Sequence, residues 1–192
     1  MDERTYRILV RTAIFLALLW AGWTIYESFM KDASPDAQKL AAAFRFMEDG
    51  RHQEALDIYQ RLLEESPHNL FALRGKAQAL MQIGEQHSAL HVYDEAIREA
   101  PESGVTYANR GILKDRMGDY RGALEDYEKA LELEPEVAEG PGFLTRFMRK
   151  QAEKPPTVAD RARYLREQLA RPESERLLRL PEKDEAQRPY KL

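Results

Sequence analysis

Apolar residues follow two different patterns along this chain. Between Ile8 and Tyr26 they form an almost continuous run of 19 residues, in which Arg11 is the one charged side chain. Between Asp36 and Val137 apolar and small residues instead recur every three or four positions among polar ones, which is the spacing of one helical face. The pattern predicts an all-α protein, with one long apolar helix ahead of several amphipathic helices.

The amphipathic part of the chain repeats itself every 34 residues. Four residue types keep one register through three copies: Gly50, Gly84 and Gly118; Ala55, Ala89 and Ala123; Tyr59, Tyr93 and Tyr127; Pro67, Pro101 and Pro135. A period of 34 residues is typical of solenoids built from helix–turn–helix units. The register divides this part, residues 33–137, into the copies 36–69, 70–103 and 104–137.

Each recurring residue has a physical use in such a unit. A glycine at the turn lets the chain reverse direction without a Cβ in the way. An alanine lets the two helices of a pair approach closely, and the tyrosine one turn later fills the space beside it. A proline then ends the second helix, because it has no amide hydrogen to donate. We therefore expect three stacked helix pairs.

The same residues resemble the second-helix signature of the tetratricopeptide repeat, which has a glycine-containing turn, Ala-x3-Tyr and a closing proline. The first-helix signature is weaker, since the third copy has Tyr107, Arg110, Gly111 and Lys114 where the family has Trp-x2-Leu-Gly-x2-Tyr. The resemblance implies a right-handed solenoid whose concave groove binds other protein chains.

The N-terminal apolar run has the length of a membrane span. Nineteen helical residues extend over about 28 Å, close to the thickness of a hydrocarbon core. Trp20, Trp23 and Tyr26 cluster towards one end, as interfacial aromatic residues do. We therefore expect residues 8–29 to cross a lipid bilayer once, within an N-terminal region of residues 1–32.

Basic residues predict the orientation of this anchor. Three arginines lie before or within the start of the run and two lysines follow it, which favours a cytoplasmic N-terminus. In a bacterial inner membrane the repeats would then be periplasmic, and a eukaryotic organelle membrane is a second setting. The alternative is a cleaved signal peptide and a soluble exported protein, but the small-residue pair that cleavage needs is absent after the run.

The repeat pattern ends after Val137. A breaker cluster at residues 139–142 is followed by an apolar stripe, which predicts a capping helix at residues 143–153 that covers the last open face of the solenoid. This capping region and its proline linker span residues 138–156.

Residues 157–192 form the last region of the chain. Thr157 to Asp160 resembles a capping box that opens a further basic helix. Three prolines from Pro172 onwards then predict an extended tail. Its expected contact residues are Leu177, Leu178, Leu180 and Tyr190.

The net charge of −4 conceals a division along the chain. Residues 1–32 have no net charge, residues 33–137 carry −8 and residues 138–192 carry +4. An acidic solenoid argues against nucleic acid as a partner. The basic C-terminal region can contact a phosphate surface, an acidic partner or the chain's own acidic repeats. The absence of cysteine excludes disulfides, thiol catalysis and cysteine-bound zinc.

His87 and His91 have metal-ligand spacing on one helical face. A metalloprotease would have a glutamate where Ser88 stands, and no third ligand is near in sequence, which argues against a metal-dependent hydrolase as the alternative function. The sequence also contains no glycine-rich phosphate loop and no nucleophile elbow. We expect no enzymatic activity, no cofactor and no small-molecule substrate.

In the resembling family, the first helices of the pairs line the concave groove. The corresponding residues here are Leu40, Phe44, Met47, Phe71, Arg74, Gln78, Met81, Val105, Ile112 and Arg116. Family members that bind acidic chaperone C-termini have Lys and Asn at such positions, whereas Leu40, Phe44 and Gln78 occupy three of them here, and the clamp is missing. We expect about half of the groove residues to pack between adjacent helices, because groove and core faces adjoin.

Together these features favour a membrane-tethered scaffold that binds or assembles a membrane protein complex through its groove and its C-terminal tail. An accessory subunit and a transient assembly factor fit equally well. Only a few residues separate Met30 from Asp36, which gives membrane partners a high effective concentration. Residues 157–192 are expected to confer specificity, by binding the partner or by covering the chain's own groove.

Overall fold

The protein is built from helices. The computed structural model describes residues 2–31, 34–139 and 156–179, which form eight α-helices, two short 3-10 helices and no strand. The α-helices are α1 (Glu3–Lys31), α2 (Pro35–Glu48), α3 (His52–Glu65), α4 (Leu70–Gln82), α5 (Gln86–Glu99), α6 (Gly104–Met117), α7 (Tyr120–Leu133) and α8 (Val158–Leu169). The 3-10 turns are Pro135–Ala138 and Glu173–Glu175. The predicted all-α class is confirmed.

The chain separates into two units, Met1–Lys39 and Leu40–Leu192. The first unit is dominated by α1, in which residues Glu3–Glu27 are long and apolar enough to cross a membrane. The apolar side chains of this stretch are exposed to the surroundings. A membrane span and a signal sequence share this length and composition.

Three helix pairs form the second unit, and their turns follow the repeat. Gly50, Gly84 and Gly118 have φ angles of 76°, 90° and 86°, which only glycine adopts without strain. At the end of α6, the amide of Gly118 donates to the carbonyl of Asp115. The second helices α3, α5 and α7 each end two residues before a repeat proline. The proline therefore begins each connection after the helix has ended.

The repeat alanines and tyrosines form the core. Ala55, Ala89 and Ala123 are completely buried, and the three tyrosines of the second helices expose 1% of their surface or less. The ring of Tyr59 packs on Gly75 so closely that a Cβ there would overlap it. The large ring of a second helix therefore packs against a small residue, which for Tyr59 belongs to the first helix of the next pair.

α8 covers the last helix pair. Val158, Ala162 and Leu165 are buried in one apolar cluster with Ile112 and Val137, which belong to the third repeat copy. The capping box at Thr157 and Asp160 is present and opens α8 as predicted. The capping helix predicted at residues 143–153 lies outside the described residues. Among the residues described, α8 is the helix that buries the end of the solenoid.

Candidate functional site

The ten predicted groove residues differ greatly in exposure. Ile112 is 0% exposed and Met81 is buried, so these two side chains belong to the core instead of lining a groove. The physical reason is that α4 contacts both α3 and α5, and α6 contacts both α5 and α7. Leu40 and Met47 are half-buried and also pack against the core of the first two pairs.

The remaining predicted residues lie nearer the surface, with one exception. Phe44, Gln78, Val105 and Arg116 are half-buried. Phe71 is 53% exposed, which is the greatest exposure among the large apolar side chains of the three helix pairs that the structure describes. Arg74, one turn further along α4, is only 7% exposed.

The exposed Phe71 and the buried Arg74 lie against each other. The guanidinium carbon of Arg74 lies 5.1 Å from the centroid of the Phe71 ring, within the range of a cation–π contact. The arginine therefore carries its charge beneath an exposed aromatic ring. Such a pair offers an apolar contact and a positive charge side by side.

The buried end of Arg74 has few partners. Its Nη1 donates to Ser103 Oγ over 3.4 Å, a long hydrogen bond, and Ser103 Oγ also accepts from Thr106 Oγ1 at 2.9 Å. Within the described residues, Arg74 Nε has no hydrogen-bond partner. Burial lowers the pKa of Arg74, while the charge of Glu134 opposes that change. Glu134 itself accepts a 2.8 Å hydrogen bond from the amide of Gly104.

Tyr93 lies near the same arginine. Its side chain is completely buried, and its hydroxyl has no hydrogen-bond partner in the part of the chain that the structure describes. Burial raises the pKa of Tyr93, and the positive charges of Arg116 and Arg74 oppose the increase. Within the described residues, the second helix pair thus holds two buried polar groups without hydrogen-bond partners, Arg74 Nε and the Tyr93 hydroxyl.

In the third pair, by contrast, the cationic side chains of Arg110 and Lys114 have carboxylate partners. Arg110 donates two hydrogen bonds to Asp126, at 2.6 and 2.8 Å, and a third to Asp94 at 2.7 Å. Lys114 adds an ion pair of 2.9 Å to the same Asp126. Burial alone would lower the pKa of Arg110, but the hydrogen bonds and charges of its two carboxylate partners outweigh burial and raise it. These groups satisfy one another and stabilise the pair.

A second buried ion pair attaches α8 to the third pair. Arg161 donates from Nε and Nη2 to the two carboxylate oxygens of Asp115, at 2.6 and 2.7 Å. Asp115 also accepts from the hydroxyl of Tyr127 at 3.2 Å. This bidentate arrangement, which we call the terminal lock, orients α8 as well as holding it.

The segment after α8 also folds back on it. Arg161 Nη2 donates to the carbonyl of Leu178 at 3.0 Å, and the amide of Leu177 donates to Gln168 Oε1 at 2.9 Å. Leu178 packs against the apolar cluster of the third pair, whereas Leu177 is 64% exposed. The prediction of Leu178 as a tail contact for a partner or for the groove needs correction, because this residue packs on its own terminal helices.

Two of the other predicted tail contacts, Leu180 and Tyr190, lie outside the described residues. The histidine pair can be described: His87 and His91 are both exposed. In the described ranges no group of three or more His, Cys, Asp or Glu side chains is arranged to hold a metal ion.

Sequence reasoning missed the terminal lock and the unpartnered Tyr93. One signal was available, because Asp115 stands in the register where the first two copies have Met47 and Met81. A carboxylate that replaces an apolar residue at a core position requires a buried partner. The identity of that partner, Arg161, has no such signal.

Comparison with known protein families identifies the helix pairs as tetratricopeptide repeats. Three models of the tetratricopeptide repeat match residues 16–69, 46–109 and 105–137. No curated protein sequence matches the chain.

Among solved structures, the first TPR of Spaghetti (RPAP3) bound to the HSP90 peptide SRMEEVD is 20% identical, with a TM-score of 0.57, and the match covers 73% of this chain and 97% of that one. The Sgt2 TPR domain from Aspergillus fumigatus is 22% identical, with a TM-score of 0.52, and the match covers 72% and 87% of the two chains. At these identities the likeness concerns the fold alone.

Proposed function

Because this chain belongs to the tetratricopeptide repeat family, we propose that it is a membrane-tethered protein–protein interaction scaffold that holds or assembles a membrane protein complex. The observation that carries the proposal is the presence, in one chain, of the apolar helix α1 and a stacked-pair solenoid. Stacked helix pairs supply extended surfaces for other chains. A tether to the membrane raises the effective concentration of membrane partners.

The main test is purification of the full chain from native membranes at several expression levels, followed by quantitative mass spectrometry. A partner recovered in a fixed ratio identifies an accessory subunit, and one recovered in trace amounts during assembly identifies an assembly factor. Any variant at Phe71 or Arg74 is compared with a control chain that carries three exposed substitutions elsewhere on the repeats, such as Gln53→Ala, Glu64→Ala and Glu125→Ala. Recovery of no membrane protein by the wild-type chain would refute the proposal.

We further propose a bacterial inner membrane, with a cytoplasmic N-terminus and periplasmic repeats. Since the chain has no cysteine, single cysteines report the orientation without background. Asp2→Cys and Gln53→Cys place one exposed thiol before α1 and one after it. In intact cells a membrane-impermeant maleimide that crosses the outer membrane should label the second thiol and not the first. The opposite pattern reverses the orientation.

An exported soluble protein is a second candidate, because a signal sequence has the same length and composition as α1. The mass of the mature chain decides between the two. An intact N-terminus together with resistance to carbonate extraction supports the anchor. A mature chain that begins after the apolar run supports export.

The C-terminal region has a narrower role in this proposal than sequence alone implied. α8 and residues 176–179 pack against the third pair, so removal of residues 157–192 would disturb the solenoid as well as any docking segment. A chain that ends after Arg179 keeps those contacts and isolates the contribution of residues 180–192. Loss of the native partner from this chain supports a docking role for these residues, and stronger binding supports a covering role. Unchanged binding shows that they do not contribute to recognition.

A further inference from the structure

We propose that Phe71 and Arg74 form a receptor for a carboxylate side chain, carried next to an apolar residue on an acidic segment of the protein partner. This inference rests on the proposed scaffold function and names the chemistry of the partner. It is carried by the contrast between Arg74 and the other buried cations.

Among the residues that the structure describes, no carboxylate lies within ion-pair distance of the buried cation Arg74. Arg161 is buried to the same degree, 7% exposed, and has a bidentate pair with Asp115. Arg110 also forms ion pairs of 2.7 Å or less. Among the described residues Arg74 has no ion pair, although removing an arginine from water without one costs several kcal/mol. A site that tolerates this cost is one where a missing anion would bind strongly.

The groups without partners around Arg74 all need an acceptor. Arg74 Nε can only donate, and within the described ranges the buried hydroxyl of Tyr93 has no acceptor either. Glu134, whose charge raises the pKa of Arg74, already accepts from the amide of Gly104 at 2.8 Å. A guanidinium offers two parallel N–H groups whose spacing matches that of the two oxygens of a carboxylate. The missing group is therefore an anionic acceptor of that shape.

A ligand can reach the buried guanidinium only after the Arg74 side chain changes its conformation. A turn of the Arg74 side chain towards Phe71 gives up one long hydrogen bond, the 3.4 Å contact with Ser103. The cation–π contact with Phe71 can persist during that turn. The exposed ring then packs against an apolar neighbour of the bound carboxylate. This arrangement explains why so large an aromatic side chain is exposed on α4.

The overall charge makes such recognition selective. Residues 33–137 carry a net charge of −8, so an acidic segment is repelled unless it finds a local cation. Arg74 and Arg116 supply that local positive charge.

The test uses the full chain in detergent micelles and two libraries of N-acetylated, C-amidated decapeptides. The libraries are fixed at the centre as Leu-Glu-Leu or as Leu-Gln-Leu and are random elsewhere. By fluorescence anisotropy, we expect the glutamate library to bind about tenfold more tightly than the glutamine library at low salt, and the preference to fall as salt is added. Equal affinity for the two libraries overturns the inference.

Variants locate the preference. Arg74→Gln should remove it, and Arg121→Gln, which changes an exposed arginine of α7, should leave it intact. If Arg74→Gln does not fold, as judged by circular dichroism, Phe71→Ala replaces it, because an exposed residue can be truncated without disturbing the core. Phe71→Ala should weaken binding of the glutamate library by about tenfold. A preference that survives Arg74→Gln places the carboxylate elsewhere and refutes the receptor, and so does undiminished binding of the glutamate library to Phe71→Ala.

The outcome remains separate from that of the proposed function. If the native partner is recovered equally by the wild-type chain and by Arg74→Gln, the scaffold proposal stands and the receptor is wrong. If no partner is recovered but the glutamate library is preferred through Arg74, the receptor stands and the membrane scaffold proposal is wrong.

Discussion

The second and third helix pairs have the same architecture but use their buried charges in opposite ways. In the third pair Asp115 accepts from Tyr127 and forms an ion pair with Arg161. In the second pair the same register position is Met81, and Tyr93 has no hydrogen-bond partner among the described residues. Asp115 and Arg161 therefore lock the third pair, whereas the second pair has Met81 at the position of Asp115 and Arg74 where the third copy has Ala108.

The comparison shows how a repeat protein can change function without a change in fold. A buried ion pair contributes little net stability but fixes geometry, because a misaligned pair leaves two buried charges without compensation. A buried cation without a partner costs stability and offers affinity instead. The carboxylate at position 115 and the arginine at position 74 together decide which of the two a helix pair has.

The largest loss of stability is expected when the terminal lock is removed together with α8. A chain that ends after Pro156 exposes the apolar cluster under Val158 and Leu165 and leaves Asp115 buried without its cation. We expect a loss of more than about 5 kcal/mol in the free energy of unfolding, from apolar burial and the broken pair. Urea unfolding followed by circular dichroism measures it. The chain that ends after Arg179 is the control, and equal stability of the two chains would contradict the role of α8.

Asp115→Asn breaks the lock and keeps α8. The variant leaves Arg161 buried with a neutral partner, so we expect a loss of about 3–5 kcal/mol. Glu125→Gln, an exposed carboxylate on α7, should change stability by less than about 0.5 kcal/mol. Restoration of stability in a double variant Asp115→Leu and Arg161→Leu would show that the loss comes from the unpaired charge. A single variant as stable as the wild type would show that the ion pair is dispensable.

The helices and their turns could be predicted because their causes are local. Glycine at the turn, alanine at the close approach and proline after the second helix each act within a few residues. The terminal lock could not be predicted, since Asp115 and Arg161 are 46 residues apart and no spacing rule connects them. Ile112 and Met81 are among the candidate groove residues that pack between adjacent helices, since α4 and α6 have neighbours on both sides, and the repeat pattern alone did not indicate which candidates these would be.

Alkaline titration sharpens the comparison by testing Tyr59, whose helix pair has Met47 at the register position of Asp115. Burial raises the pKa of Tyr59 to about 12, from an unfolded value near 10. Since the folded pKa is the higher one, the stability it reflects is complete below pH 10 and is lost as the pH rises towards 12. We expect the wild-type chain to lose about 1.4 kcal/mol per pH unit in this window relative to Tyr59→Phe. Parallel stability curves for the two proteins would contradict the burial of the phenol.

The smallest expected effect compares the two hydroxyls directly. Tyr127→Phe removes a hydrogen bond to a buried carboxylate, so we expect a loss of about 1–2 kcal/mol. Tyr93→Phe removes a hydroxyl that has no partner within the described residues, and we expect no loss or a small gain. Both values come from urea unfolding at pH 7. Equal costs would show that the two pairs do not differ at this position.

Helices α3 to α7 each contact the next helix along the chain, and this nearest-neighbour arrangement bears on how the sequence can evolve. In such an array, a change in one unit is felt mainly by the adjoining units. Mutations around Phe71 can therefore accumulate, and partner preference can drift, while the ion pair between Asp115 and Arg161 keeps the far end folded. The protein can therefore acquire new partners one repeat at a time while the stability of its other repeats changes little.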